Sequence, residues 1–209
     1  MSKLSAVLAP GVIPVVVIED PGAAEALGHA LTAGGLPSAE ITLRTAGALE
    51  AIAALSALSG FTVGAGTVVD PSQAQEAVAA GASYLVSPGF SPAVSQACRS
   101  LDAPLIPGAV TATEIQAAIE HGHDVVKFFP AAAAGGVAMV RSLSAPFPNV
   151  RFVPTGGIAH DTLGDYLAVA SVAAVGGTWI APRDLIEQQD FEEITRRAAA
   201  AVALVKEAR

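Results

Sequence analysis

The stretch VIPVVVIEDPGAAEALGHALTAGGLPSAEITL, residues 12–43, decides the fold. Its first seven residues, Val12–Ile18, are apolar and mostly β-branched, which predicts a buried strand. Glu19-Asp20-Pro21-Gly22 then breaks the run, and the alanine-rich segment Gly22–Ala33 predicts a helix. A second short apolar run, Ala39–Leu43, predicts another strand. Strand, helix, strand in that order is the crossover unit of a parallel sheet.

The unit repeats outward to the end of the chain. Further strands are predicted at Thr62–Ala65, Tyr84–Val86, Pro104–Ile106, Val125–Phe129, Arg151–Pro154 and Ala173–Val175. Helices are predicted between them at Ala46–Leu58, Pro71–Ala80, Pro92–Leu101, Ala112–His121, Gly136–Leu143 and Thr162–Ala168, with a final long one at Asp184–Lys206. The strands are apolar in runs and not in alternation, so both faces are expected to be covered. No Gly-x-Gly-x-x-Gly follows the first strand, and polar residues stand at the ends of many strands instead of at one crevice. These features favour an α/β fold of the (β/α)8 TIM-barrel type over an open doubly wound sheet. No linker or charge block divides the 209 residues, so a single domain over residues 1–209 is expected.

Hydrophobic residues make up 52% of the chain and charged residues 14%, which excludes a disordered protein. Eleven Lys and Arg against 19 Asp and Glu give a formal charge of −8, and no basic stripe occurs, which argues against a nucleic-acid partner. An anionic substrate would therefore need local donors, since distant charges are screened beyond about 8 Å. The single cysteine, Cys98, permits no internal disulfide and is expected to pack inertly in its helix. Pro10, Gly11 and Pro14 interrupt the N-terminal apolar run, which does not read as a signal peptide. No apolar run reaches the roughly 18 residues of a membrane span, so no membrane partner and a cytoplasmic location are expected.

Active residues of an α/β barrel stand at the C-terminal ends of its strands. Lys127 lies inside the apolar strand Val125–Phe129, where an ammonium is costly unless paired or neutral. A neutral amine on a rigid strand is the nucleophile that attacks a ketone carbonyl. Glu40 lies inside another strand and could meet Lys127 as a proton shuttle; a structural ion pair is the competing reading. Arg44 ends the strand of Glu40 and matches a carboxylate bidentately. Thr67 follows Gly64-Ala65-Gly66, where backbone can approach a ligand. Gly156-Gly157 and Gly176-Gly177 follow strands 7 and 8, where barrels often bind phosphate, and Thr178 adds a hydroxyl. His121 and His123 precede strand 6 and should lie at the opposite end; His29 and His160 have no ligand-spaced partner, and Asp161 suits a helix N-terminus. No metal site is expected.

The segments Glu40-Ile41-Thr42-Leu43-Arg44-Thr45, Gly64-Ala65-Gly66-Thr67-Val68, Ser87-Pro88-Gly89, Lys127-Phe128-Phe129-Pro130-Ala131, Arg151-Phe152-Val153-Pro154-Thr155-Gly156-Gly157-Ile158 and Gly176-Gly177-Thr178-Trp179 together resemble the 2-keto-3-deoxy-6-phosphogluconate (KDPG) and 4-hydroxy-2-oxoglutarate (KHG) aldolase family. The resemblance runs from about Gly11 to near the C-terminus. It implies a cofactor-free class I aldolase of the Entner–Doudoroff pathway that reversibly cleaves KDPG, a phosphorylated 2-keto-3-deoxy sugar acid, to pyruvate and glyceraldehyde 3-phosphate. Lys127 would form the imine and Glu40 would be the general acid/base. Arg44 and Thr67 would hold the carboxylate, Pro88 and Phe90 would shape the pocket, and Gly156, Gly157, Gly177 and Thr178 would receive the phosphate. The resemblance also implies a homotrimer. Three residues depart from the family's pattern: Ala132 and Ala134 replace a Glu and an Asn, and Thr178 replaces a serine. Two other readings stay open: an aldolase acting mainly on KHG or an epimeric sugar acid, and a non-catalytic phosphosugar-binding barrel.

Overall fold

Each apolar run becomes a strand because its neighbours are also apolar runs, so backbone groups pair in parallel ladders while side chains meet apolar partners on both faces. The computed structural model describes residues 3–209. Its elements are, in order, α1 (Lys3–Leu8), β1 (Val12–Val16), α2 (Ala24–Ala33), β2 (Ser38–Thr42), α3 (Ala48–Ser56), β3 (Thr62–Gly66), α4 (Pro71–Ala79), β4 (Tyr84–Val86), α5 (Pro92–Ser100), β5 (Leu105–Ile106), α6 (Ala112–Glu120), β6 (Val125–Phe128), α7 (Gly136–Ser144), β7 (Arg151–Pro154), α8 (Leu163–Leu167), β8 (Val175–Gly177), α9 (Arg183–Glu187) and α10 (Phe191–Ala208). Short 3-10 turns at Pro21–Ala23 and His160–Thr162 lead into α2 and α8, so Asp161 stands at the N-terminal start of α8, within the turn and not as its cap.

Six strands form one parallel sheet in the order β5-β4-β3-β2-β1-β8, and β6 pairs with β7. Single bridges connect the two groups at both edges. Lys127 of β6 bridges to Gly108, just past β5, while Phe152 and Thr155 bridge to Val172 and to Gly176 of β8. The architecture is a TIM-like α/β fold, with the strands inside and the helices outside.

Alternation along each strand divides the core in two. Outward residues such as Val16, Ile41, Ala65, Leu85, Val126 and Phe152 pack under the helices. Inward residues Ile13, Tyr84, Val86, Ile106, Val125, Val153 and Ala174 form a separate cluster, which Val7 and Leu8 of α1 join. Several helix starts follow directly from sequence: Asp70 caps α4 with Pro71 behind it, Ser91 caps α5 with Pro92 behind it, and Thr111 with Glu114 makes a reciprocal cap on α6. No helix among the described residues is long and apolar enough to cross a membrane.

The structure corrects three expectations. The final helix is two, because Gln189 turns at φ 58° and Asp190 restarts the chain as a new cap, accepting from the Glu193 N–H. Strand eight is shifted two residues onward: Gly176 and Gly177 belong to it, paired with Ile13 and Pro14. Those glycines read as a turn, but in a strand glycine marks a close approach, here by the Thr155 side chain onto Gly176. Helix α1 was not anticipated, since six residues carry little helical signal alone. Packing of Val7 and Leu8 holds it in place. Leu8→Ala is therefore expected to cost about 2–4 kcal/mol in urea unfolding, as for a core leucine; a cost near zero would mean that α1 does not close the inner cluster.

Candidate active site

The two-residue period of the strands sends Glu40 and Thr42 of β2 and Lys127 and Phe129 at the end of β6 to the same inner face. Lys127 and Glu40 are 6% and 3% exposed. They are 87 residues apart in sequence, yet the Lys127 Nζ donates a hydrogen bond to Glu40 Oε1 at 3.0 Å. The Phe129 ring lies 5.4 Å from the ammonium and presents its face to it. Gly66 of β3 makes room for the pair, since a Cβ there would strike the Glu40 carboxylate.

Above the pair opens a cavity of about 350 Å³ lined by Lys127, Arg44, Thr67, Pro88, Gly156, Gly157 and Thr178, with Val15, Thr42, Phe129, Thr155, Ile158 and Gly176 completing the wall. Arg44 is exposed, and its guanidinium has no carboxylate partner among the described residues, which leaves it available to an anionic ligand. Thr42 is fixed by donating to the Val16 carbonyl at 3.0 Å. Thr67 stands at φ 61°, a left-handed conformation that a β-branched residue adopts only under constraint. Such strain persists where surrounding structure holds a side chain for use. Gly156 and Gly157 turn at φ 99° and 71° past β7. The Ala132 N–H donates to the Gly156 carbonyl at 3.0 Å, and the Ala132 methyl fills the space where Gly157 lacks a Cβ. Ala132 thus ties this loop to the turn after β7 through backbone.

Glu40 lies beneath the cavity wall and reaches it through Lys127. Two expected residues stand elsewhere. Gly177 is not in the cavity wall, and a Cβ there would strike the Trp179 ring. Phe90 is not in the wall; its ring packs against His121 and His123, at centroid distances of 4.9 and 6.2 Å. A residue four past a short strand has already turned down the outer face, where packing captures it. Conversely, Phe129, Thr42 and Thr155 line the cavity without having been assigned to it. Strict alternation from Lys127, Glu40 and Val153 would have found all three.

A larger cleft, about 600 Å³, lies at the opposite end of the strands among Arg99, Asp102, His121, His123, Asp124 and Arg151. Its ion pair, Arg151 with Asp124 at 3.2 Å, is exposed. His123 bonds Ser95 at 2.8 Å, and burial holds its imidazole below the ordinary range. Burial likewise pushes the Cys98 thiol up to about 11, which leaves it a poor nucleophile. Among the described residues no three His, Cys, Asp or Glu gather as a metal site. The smaller cavity is lined by the buried amine of Lys127 and lies over its carboxylate partner, which makes it the candidate site.

Residues 5–197 match the family model described as KDPG and KHG aldolase. The chain belongs to that family. The 2-dehydro-3-deoxy-phosphogluconate aldolase of Treponema pallidum (strain Nichols) is 48% identical over 185 residues, 88% of each chain. The KHG/KDPG aldolase of Escherichia coli (strain K12) is 42% identical over 192 residues, covering 91% of this chain and 90% of that one. Among solved structures, the KDPG aldolase of Legionella pneumophila, with pyruvate captured at low pH as a covalent carbinolamine intermediate, superposes with a TM-score of 0.92 at 40% identity over 96% of this chain and 98% of that chain. Membership of the family agrees with the resemblance read from the Lys127, Glu40 and glycine-rich segments.

The strained threonine gives a test independent of turnover. A left-handed residue with a Cβ costs about 1–2 kcal/mol, and glycine returns about 0.5–1 kcal/mol of that to the unfolded chain. Thr67→Gly should therefore unfold in urea with unchanged or up to about 1 kcal/mol greater stability. A clear loss of stability would mean that packing, not ligand geometry, holds Thr67 at positive φ.

Proposed function

We propose that this protein is a class I aldolase that reversibly cleaves KDPG to pyruvate and glyceraldehyde 3-phosphate through an imine on Lys127. The observation that carries the reading is the buried hydrogen bond of Lys127 to Glu40 at the base of the cavity. Transfer of the bonded proton from Nζ to Glu40 leaves a free amine facing the cavity. The amine adds to the C2 ketone, and the resulting carbinolamine loses water as Glu40 returns the proton to the departing hydroxyl. The protonated imine then accepts the electrons of the breaking C3–C4 bond. Glu40 removes the C4 hydroxyl proton, glyceraldehyde 3-phosphate leaves, and Glu40 protonates C3 of the enamine. Hydrolysis of the second imine releases pyruvate. The imine is the electron sink, so these steps call on no metal or organic cofactor.

Arg44 and Thr67 would bind the carboxylate at one end of the cavity. The backbone N–H groups at Gly156 and Gly157 and the Thr178 hydroxyl would bind the phosphate at its mouth, with Pro88 and Phe129 as walls. The strand pairing and the bridges at both edges support a closed (β/α)8 barrel and a single domain over the chain. We further propose that the protein acts in the cytoplasm and forms a homotrimer, the latter as the family resemblance implies. A second reading has a specific ground: a relative of 42% identity is named KHG/KDPG aldolase, which makes KHG a candidate co-substrate.

Pyruvate with sodium borohydride should leave a stable adduct on the Lys127 peptide, read by intact mass and peptide mapping. Folded protein that gives no adduct at saturating pyruvate refutes the imine. Glu40→Gln should still form the adduct but cleave KDPG about 10²–10⁴-fold more slowly; parental turnover would remove Glu40 from its role. Thr178→Ala should raise KM for KDPG while leaving KM for KHG unchanged, and equal effects on both would move the phosphate elsewhere.

A further inference from the structure

Two hydroxyls on the inner face, Ser38 and Tyr84, take no part in the reaction as drawn. Ser38 is two residues before Glu40 on β2, hence on the same side of the strand, and is 3% exposed. Tyr84 of β4 is fully buried in the inner cluster. Strand register sets Tyr84 level with Gly64 of β3, and Gly64 level with Glu40 of β2. A Cβ on Gly64 would overlap the far end of the tyrosine ring, its Cζ and both Cε atoms. The ring therefore leans from β4 across β3, and its hydroxyl continues toward β2, the strand that bears Ser38 and Glu40.

Neither hydroxyl has a hydrogen-bond partner among the described residues. Native interiors rarely leave such groups unpaired, and a bound water is the usual partner when several polar groups converge. Burial, with the negative charge of Glu40 as a second cause, pushes the Tyr84 phenol well above its ordinary range, so it remains a neutral hydroxyl.

We propose that Ser38 and Tyr84 are positioning residues for Glu40, holding one buried water that donates to its carboxylate from the side away from Lys127. Two hydroxyls and a carboxylate supply the three hydrogen bonds typical of an internal water. A carboxylate that must take and return protons several times per turnover gains from being held in one orientation, because small misplacements of a reacting group slow catalysis steeply. The inference rests on the aldolase reading and deepens it.

The experiment compares the parental protein with Tyr84→Phe, Ser38→Ala and the double variant. Four quantities are read: exchange of the pyruvate methyl protons in D2O by NMR, kcat and KM for KDPG, and the thermal midpoint. Methyl exchange reports proton transfer at C3 without bond cleavage. Each single variant should slow exchange and kcat about 3–10-fold, the range of one lost hydrogen bond, with KM nearly unchanged. The double variant should be no slower than the slower single variant, because both hydroxyls act through one water. A parental exchange rate in either folded single variant overturns the proposal, most plainly if its thermal midpoint rises, as expected on deleting a hydroxyl that was merely unpaired. Losses that multiply in the double variant overturn the shared water. Should Tyr84→Phe fail to fold, Ser38→Ala decides alone on the same exchange measurement. Absence of exchange and of a borohydride adduct in the parental protein would instead fail the aldolase reading itself.

Discussion

Lys127 and Glu40, bonded at 3.0 Å among apolar strands, set the terms for the rest of the molecule. Desolvating an ammonium and a carboxylate costs several kcal/mol for each, and their attraction offsets that only when the geometry is tight. The two residues lie on β6 and β2, which do not pair directly. They meet only because the strands curl round far enough for the inner faces of distant strands to face one another. The carboxylate also needs β3 to give way, which Gly66 does by having no side chain. A well-packed apolar pair would serve stability as well or better, so the ion pair is better explained by chemistry than by folding.

The ends of the strands divide the work. At one end α1 seals the inner cluster with Val7 and Leu8, and the polar cleft beside it holds the exposed Arg151–Asp124 pair and His123, whose imidazole burial holds below its ordinary range. At the other end stand the strained threonine, the left-handed glycines and an arginine with no acid partner among the described residues. Strain and unpaired charge are tolerated there because eight strands fix the backbone below. The loop after β6 is tied by backbone bonds, Ala132 N–H to the Gly156 carbonyl past β7 and Ala134 N–H to the Pro130 carbonyl, which do not depend on the side chains there.

An acidic protein that handles anions needs its donors at the site and not in its net charge. With a formal charge of −8, the long-range field repels a phosphorylated acid, but screening confines that repulsion to short range. Within the cavity Arg44, Lys127, backbone N–H groups and threonine hydroxyls outnumber acids, with Glu40 already paired. The resulting contrast between a repelling surface and an attracting cavity favours compact ligands that fit inside over extended polyanions.

The strand and helix order, the parallel sheet and the placement of Lys127 and Glu40 inside strands were legible in the chain itself, because apolar runs and their interruptions follow local rules that need no partner. The helix starts at Pro71, Pro92 and Ala112 were legible for the same reason, and Asp70, Ser91 and Thr111 cap them in the structure. The meeting of Lys127 with Glu40 across 87 residues, the strand membership of Gly176 and Gly177, the burial of Phe90 against two histidines and the docking of α1 were decided only in three dimensions. Each depends on which strand lies beside which and on how much room a neighbour leaves. A glycine in sequence signals a turn and a close approach equally, and only the packed structure shows that Gly66 makes space for a carboxylate and Gly64 for a tyrosine ring.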